Sequence, residues 1–252
     1  MRRGFAATTS GHYGEAILLF QKGFDLSRSQ GDPCTAAWFL NNIAGAHFRL
    51  FRYRQALAAY LEERPHALRC GDSTSQGSLA LNISSLYARM ENLEAAVAAA
   101  DESLQYFSRN SNSPYRASAL VNRARLYARE RNPSAAIDTY LAGLEESRRH
   151  FDPSQPGRVR EYVDLQVVGW TELGRVYLER REFDRAEHAL LEAYRVQRVH
   201  RFSPTNTTYR DLAFLERARG DTPAALRLMD RAVAKGLAAP RAPLFLLLRD
   251  RG

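Results

Sequence analysis

The sequence predicts an all-α protein, built as a solenoid of antiparallel helix hairpins, and three observations support this class. One local phrase occurs six times around an alanine, with successive spacings of 40, 40, 40, 50 and 39 residues, and such a period marks stacked supersecondary units. The alanines are Ala16, Ala56, Ala96, Ala136, Ala186 and Ala225. Ahead of the second phrase, Leu40, Ile43 and Ala44 follow three- and four-residue steps, which define one face of a helix. A short turn, FRYRQ, then leads into the helix that contains Ala56, so each unit is predicted to be two helices.

The repeat divides residues 1–252 into six hairpins of a single array. The hairpins are predicted at residues 1–30, 36–70, 76–110, 114–150, 158–200 and 205–238, and residues 239–252 are predicted to form a C-terminal cap. Two of the second helices have recognisable starts, because Asn132 precedes Pro133 and Thr222 precedes Pro223. Each pair places a capping side chain ahead of a proline at the first helical position.

The two ends of the array differ from its interior. Too little chain precedes Ala16 for a full first helix, so the hairpin at 1–30 is predicted to be partial. Terminal repeats of solenoids normally have a cap, because their apolar face has a neighbour on one side only. We therefore expect the sequence to be a piece of a longer polypeptide, or its first repeat to be covered by a partner or by another copy of the chain. At the other end, Leu244–Leu248 is predicted to fold back over the last hairpin.

The residues of the fifth unit resemble the tetratricopeptide repeat (TPR) family at seven positions. These are Trp170, Leu173, Gly174, Tyr177, Phe183, Ala186 and Ala193. The resemblance covers residues 4–236 and implies a right-handed α-solenoid, the TPR superhelix. Its small packing position holds Ala44, Ser84, Ala124, Gly174 and Ala213 in successive units. The period is near 40 rather than the family's usual value of about 34. This resembles the long-helix branch found in kinesin light chains, polarity adaptors and bacterial peptide-sensing regulators, including arrays joined to CHAT proteases.

The sequence departs from a regular repeat at two places. Arg123 occupies a position that is apolar in the neighbouring units, so the fourth repeat is expected to be less well packed there. Ten extra residues precede the fifth unit, and they include Phe151–Gly157, whose two prolines and glycine predict a loop. We expect a hinge or a change of curvature at this loop.

The resemblance implies that the first helix of each unit lines the concave side of the solenoid. The position two residues before the small one then faces inward, and the position seven residues further on lies on nearly the same face. The first position holds Asn42, Asn82 and Asn122, and the second holds Arg49, Arg89 and Arg129. A carboxamide can bond both the N–H and the C=O of an extended peptide, and arginine suits carboxylates. The alternative is that these residues belong to an ordinary solvated helix face.

Beyond the predicted loop, the equivalent positions hold acidic residues instead of asparagine and arginine. They hold Glu172, Asp211 and Glu179, so one end of the groove is predicted to be basic and amide-rich and the other more acidic. Arg125 and Arg175 are predicted to lie at the changeover between the two ends.

Composition excludes little but sets some expectations. The formal charge is +8, and Lys22 and Lys235 are the only lysines among 36 basic residues. Because a GC-rich genome would also favour arginine, charge alone does not predict nucleic-acid binding. Cys34 and Cys70 form no CxxC pair and fall in predicted connections, so two reduced thiols in a cytoplasmic protein are expected. The first residues lack the apolar core of a signal peptide, and no apolar stretch is long enough to cross a membrane.

No pattern of catalytic residues is present in the sequence. The histidines form no HExxH and no cluster of metal-ligand spacing, so no metal and no cofactor is predicted. Residues 169–175 resemble a phosphate loop only superficially, because the lysine and the hydroxyl residue are missing. The sequence therefore predicts that the protein is not an enzyme.

Three functions remain open at this point. The first is a scaffold that binds an extended or helical segment of a partner protein in its groove, with an acidic or C-terminal segment among the candidates. The second is the sensory or regulatory region of a larger bacterial signalling protein. The third is a basic solenoid that binds RNA, which is disfavoured because the inner face lacks aromatic stacking residues. Self-association through the exposed first repeat is a further expectation.

Overall fold

The computed structural model describes residues 2–109 and 115–237. These residues form twelve helices and no strand, in keeping with the predicted all-α solenoid of helix hairpins. The helices are α1 Arg2–Thr9, α2 Tyr13–Ser29, α3 Pro33–Arg49, α4 Tyr53–Cys70, α5 Ser73–Arg89, α6 Leu93–Ser108, α7 Arg116–Arg129, α8 Pro133–Arg149, α9 Pro156–Glu179, α10 Phe183–Val199, α11 Asn206–Arg219 and α12 Thr222–Leu237. Hairpins such as α3/α4, α5/α6, α9/α10 and α11/α12 have the most extensive packing. No helix in the described ranges is long and apolar enough to cross a membrane.

The chain divides into two compact units, Met1–Leu126 and Tyr127–Gly252. Unit 1 contains α1–α6 and most of α7, and unit 2 contains α8–α12. The predicted cap at Leu244–Leu248 lies outside the described residues.

The repeated alanines are packing positions, as the period predicts. The first five are fully buried, with 0% exposure, and the sixth is 8% exposed. Each lies in the first turn of a second helix, where a larger side chain would push the two helices of the hairpin apart. The periodic phrase therefore marks buried packing positions in the second helix of each hairpin.

The turn inside each hairpin is built the same way in successive repeats. Its central residue is left-handed, as at Phe51, Glu91 and Arg131, with φ between 57° and 61°. The next backbone N–H then donates to a carbonyl five residues earlier, as from Arg52 to His47 at 3.0 Å. This is the hydrogen bond of a Schellman motif, which satisfies the last carbonyls of the first helix. The left-handed position costs a non-glycine residue energy, and only the terminal hairpins place glycine there.

The helix starts confirm one of the two predicted caps and correct the other. Asn132 Oδ1 accepts a hydrogen bond from the N–H of Ala135 at 3.2 Å, directly ahead of the predicted Pro133. At α12 the cap is Asp221 rather than Thr222, because Asp221 Oδ1 accepts from Ala224 at 2.9 Å. A carboxylate one residue earlier occupies the capping geometry, so the threonine becomes the first helical residue.

The extra residues before the fifth unit form less loop than predicted. Phe151–Gln155 connects the helices, but Pro156 and Gly157 belong to the first turn of α9, which is 24 residues long. Proline is compatible with the first turn because it has no N–H that would need a partner. The insertion therefore mainly lengthens a helix, and the expected hinge stays a prediction.

The expectation that Arg123 loosens the fourth repeat is wrong. Arg123 is only 8% exposed, and its Nε lies 2.8 Å from Oδ1 of Asp101 on α6. The aliphatic stem of an arginine can fill an apolar position while its charged head reaches a partner near the surface. Asp101 is half exposed, so the pair sits at the rim of the packing.

The expectation of two reduced thiols is also wrong. Cys34 and Cys70 form a disulfide, with their Cα atoms 5.1 Å apart across a sequence separation of 36 residues. Because α3 and α4 are antiparallel, the first turn of α3 lies beside the last residue of α4. The sequence shows two distant connections, whereas the hairpin brings them together. A cytoplasmic location therefore loses the support that reduced thiols would give it.

Candidate functional site

A pocket of about 510 Å³ lies in unit 1, against the first helices of two successive hairpins. Helix α3 contributes most of its wall, and α1, α2, α4 and α5 complete it. The lining residues are Thr8, Tyr13, Asn41, Asn42, Gly45, Ala46, Phe48, Arg49, Tyr60, Asn82 and Ser85. The pocket thus combines amide, hydroxyl and guanidinium groups with an apolar surface.

Three of the predicted site residues, Asn42, Asn82 and Arg49, line this one pocket. The Asn42 Nδ2 donates to the Trp38 carbonyl of its own helix at 2.7 Å, which leaves its Oδ1 available as an acceptor. Asn82 is half-buried, and its carboxamide has no hydrogen-bond partner among the described residues. One asparagine is therefore oriented by the fold, and the other is free to bond a ligand.

The Arg49 side chain is held in place by Tyr13. Its Nε donates to the Tyr13 hydroxyl at 3.1 Å, and its guanidinium carbon lies 5.7 Å from the centroid of the Tyr13 ring. The two terminal nitrogens of the guanidinium have no carboxylate partner among the described residues. A positioned arginine loses less side-chain freedom on binding an anion than a mobile one does.

A buried carboxyl group lies behind the pocket and was not predicted. Glu63 is 4% exposed, and both of its oxygens accept from Asn41 Nδ2, at 3.3 and 3.2 Å. Burial raises the pKa of Glu63 to about 8, against the opposing effect of the Asn41 hydrogen bond. Tyr60 lies beside it and is 6% exposed, and burial raises the pKa of its hydroxyl above the usual range.

The sequence does contain a signal for this carboxyl group. The positions equivalent to Glu63 in the second helices of other repeats hold small residues, namely Gly23, Ser103, Gly143 and Ala193. An acidic residue at a position that is otherwise small predicts a buried carboxyl with its own partner. The partner, Asn41, directly precedes the predicted Asn42.

Asn122 occupies a different environment from the other two asparagines. It is 6% exposed, and its Nδ2 donates to the Ser84 hydroxyl at 2.8 Å. The Ser84 hydroxyl in turn donates to the Ala96 carbonyl at 2.8 Å, so the chain of bonds joins α7, α5 and α6. This carboxamide stabilises the packing of neighbouring repeats, and it does not line the pocket.

The remaining predicted arginines also lie outside this pocket. Arg89 is exposed at the end of α5, and Arg129 is exposed at the end of α7. Arg125 is half-buried on α7. Among the arginines of the predicted set, Arg49 lines the pocket, and it lies beside the Tyr13 ring.

In unit 2, two of the three predicted acidic residues form ion pairs with one arginine. The Nη2 of Arg175 lies 2.9 Å from Oδ2 of Asp211, and its Nη1 lies 3.2 Å from Oε1 of Glu172. Asp211 is fully buried, and burial raises its pKa although Arg175 lowers it. Glu179 is exposed at the end of α9. The predicted acid-rich part is thus largely a cluster of ion pairs.

Solved structures with this fold include proteins of known repeat type. BtubC from P. vanneervenii matches with a TM-score of 0.72 and 20% identity, over 91% of this chain and 95% of that one. NprR, a quorum sensor in B. thuringiensis, was solved with its cognate peptide NprX. That complex matches with a TM-score of 0.67 and 16% identity, over 93% of this chain and 67% of that one. A Podosopora anserina protein of kinesin light chain type, with nearly identical TPR-like repeats, matches with a TM-score of 0.57 and 14% identity. The match covers 78% of this chain and 92% of that one.

These matches assign the fold. No protein-family model and no curated protein matches the sequence. The chain has the fold of the TPR-like repeat proteins, as the residues of its fifth unit predict.

Proposed function

We propose that this protein is a non-catalytic interaction module that holds an extended segment of a partner protein in the pocket of unit 1. The observation that supports this most directly is the half-buried Asn82 carboxamide, which faces the pocket without a partner among the described residues. A carboxamide offers one acceptor and two donors, which matches the N–H and C=O of a peptide bond. The Oδ1 of Asn42 provides a second acceptor in the preceding hairpin.

The pocket also has room for a side chain of the bound segment. Gly45 lies in its wall, and a Cβ added to Gly45 would meet no atom within 4 Å. Phe48 and Ala46 give this part of the wall an apolar surface. Arg49, held by Tyr13, would bond a carboxylate of the segment. We infer a ligand that has a free main chain, one apolar side chain and a nearby acidic group.

The comparison with NprR is consistent with this proposal, because a protein of the same fold was solved with a bound peptide. Main-chain hydrogen bonds would supply affinity that is independent of sequence, and the apolar wall and Arg49 would supply selectivity.

The experiment uses peptides selected from a random library by the wild-type protein. Asn82→Ala should weaken the binding of these peptides about 2- to 12-fold, the value of one net hydrogen bond, while the melting temperature changes little. Gly45→Leu should obstruct the pocket and reduce binding further, because the new side chain enters the open space.

The matched control is Asn122→Ala, at the equivalent position of another repeat. It removes a buried hydrogen bond, so it should lower stability and leave peptide affinity nearly unchanged. Peptides that bind wild type, Asn82→Ala and Gly45→Leu equally well would refute the proposed site.

A second candidate is that the chain is the sensory region of a larger signalling protein. The observation that favours it is that the chain spans about two thirds of NprR, a quorum sensor. The same pocket would then bind a signal peptide. An effector domain encoded next to this segment, with an activity that changes when the selected peptide is added, would support this candidate, and an effector that is insensitive to the peptide would exclude it.

A further inference from the structure

A second pocket in unit 1 lies beside the disulfide and is separate from the peptide pocket. It encloses about 260 Å³ and is lined by Arg28, Gly31, Asp32, Pro33, Ala36, His66 and Arg69. Pro33 directly precedes Cys34, and Arg69 directly precedes Cys70. Each cysteine of the disulfide is therefore the sequence neighbour of a residue in the wall of a cavity large enough for a small molecule.

This pocket has a net positive charge, because its two arginines outnumber its one carboxylate. The guanidinium of Arg28 lies over the Phe24 ring at 5.7 Å, and Arg69 Nε donates to the Pro65 carbonyl at 3.3 Å. Neither arginine has a carboxylate within ion-pair distance among the described residues. Two guanidinium groups with free donors favour a ligand with carboxylates.

The other two ionisable groups of the pocket cancel only part of this charge. The Asp32 carboxylate is occupied as the cap of α3, where its Oδ1 accepts from Thr35 at 3.0 Å. Burial and the nearby Arg69 hold the pKa of His66 below its usual value, so the imidazole is neutral at neutral pH. The hydrogen bonds to Thr35 lower the pKa of Asp32, so the pocket holds two cations and one ionised carboxylate, and its net charge stays positive.

The disulfide is accessible from solvent on one side. Cys34 is exposed in the first turn of α3, whereas Cys70 is half-buried at the end of α4. Thiol–disulfide exchange depends on access to the attacked sulfur, so an incoming thiolate reaches Sγ of Cys34 more easily.

We propose that this pocket is a site of thiol exchange, in which a low-molecular-weight thiol that bears carboxylates binds to Arg28 and Arg69 and forms a mixed disulfide with Cys34. The incoming thiol loses its proton, and its sulfur forms a bond to Sγ of Cys34 while the Cys34–Cys70 bond breaks. The thiolate of Cys70 takes up a proton. One disulfide is consumed and one is formed, so no external oxidant or reductant is needed.

The exchange would release the link between the start of α3 and the end of α4. The α3/α4 hairpin would then be closed only by its turn and its packing, so its open end would become less stable. The modification thus attaches an anionic group to the surface and loosens one repeat.

The experiment compares two thiols of opposite charge on the full chain. Glutathione has two carboxylates, and cysteamine has a single ammonium group. The rate of mixed-disulfide formation is measured for both at low ionic strength by quenching and mass spectrometry, with peptide mapping to locate the modified cysteine. For the double variant Arg28→Gln, Arg69→Gln, the ratio of the glutathione rate to the cysteamine rate should fall about tenfold relative to wild type.

The matched control is the double variant Arg52→Gln, Arg54→Gln, at the start of α4 and about 24–27 Å along the helix from Cys70. The control changes the net charge by the same amount, but far from the pocket. Its ratio of glutathione rate to cysteamine rate should therefore stay close to that of wild type. Because each ratio is taken within one variant, a general change of stability cancels. An equal ratio in all three proteins, glutathione mapped to Cys70 only, or two free thiols in the air-oxidised protein would each overturn the proposal.

Discussion

The packing of the fifth repeat can be tested by adding one methyl group to Gly174. A Cβ at this position would lie 2.8 Å from both Cγ and Cδ2 of Leu190, and 3.5 Å from the Ala186 carbonyl oxygen. Carbon atoms in good contact are about 3.5–4.0 Å apart, so Leu190 or a helix would have to move. Leu190 is fully buried, which leaves it no open space to enter.

Two opposing effects set the size of the change. Overpacking a core costs about 1–3 kcal/mol, whereas alanine is better than glycine inside a helix by about 1 kcal/mol. Gly174→Ala should therefore lower the free energy of unfolding by up to about 2 kcal/mol. Gly45→Ala separates the two effects, because its new Cβ meets nothing within 4 Å. Gly45→Ala should therefore gain only the better helix propensity of alanine. Its free energy of unfolding should rise, whereas that of Gly174→Ala should fall.

The measurement is urea unfolding of wild type and both variants, followed by circular dichroism. The urea midpoint should fall for Gly174→Ala and rise for Gly45→Ala. Gly174→Ala should not change peptide binding, because Gly174 does not line the pocket. If Gly174→Ala were as stable as wild type or more stable, Gly174 would not be the position at which α9 and α10 approach each other closely.

Three further changes test other features of the fold. Ala186→Leu should overpack the same hairpin and cost about 1–3 kcal/mol, and an unchanged denaturation midpoint would show that the fifth repeat is wrongly aligned. Arg131→Gly, at φ 57°, should raise stability by up to about 1 kcal/mol because glycine relieves the left-handed position, and a lower melting temperature would contradict this. Folding raises the pKa of Glu63 from 4.5 to about 8, so the folded state binds the extra proton between these values. Wild type should therefore lose about 3 kcal/mol from pH 5 to pH 8 relative to Glu63→Gln, and parallel stability profiles would refute the burial of this carboxyl.

The repeat pattern predicted the helices and their packing positions because these depend on short-range rules. The spacing of alanines is set by where two helices touch, and the five that precede Ala225 are fully buried. The cap at Asn132 follows from one side chain and the next three residues. The cap of α12 was missed because two adjacent residues, Asp221 and Thr222, are both good caps, and the sequence does not rank them.

The candidate site was predicted in part. The period placed Asn42, Asn82 and Asn122 at equivalent positions, and two of them line one pocket. The third is buried because Ser84, at the small position of the neighbouring repeat, is near enough to accept its hydrogen bond. The corresponding small residue of another repeat, Ala44, has no hydroxyl. Equivalent positions thus have different partners when the neighbouring repeat changes one residue.

The sequence by itself determined the all-α class and the number and phase of the hairpins, because helix periodicity and a fixed repeat are properties of nearby residues. Only the tertiary structure decided that Cys34 bonds Cys70, that Asn41 binds the buried Glu63, and that Asn82 keeps a free carboxamide. Each of these results depends on which side chains of different helices meet. That depends on how antiparallel helices align, and no local pattern contains this information.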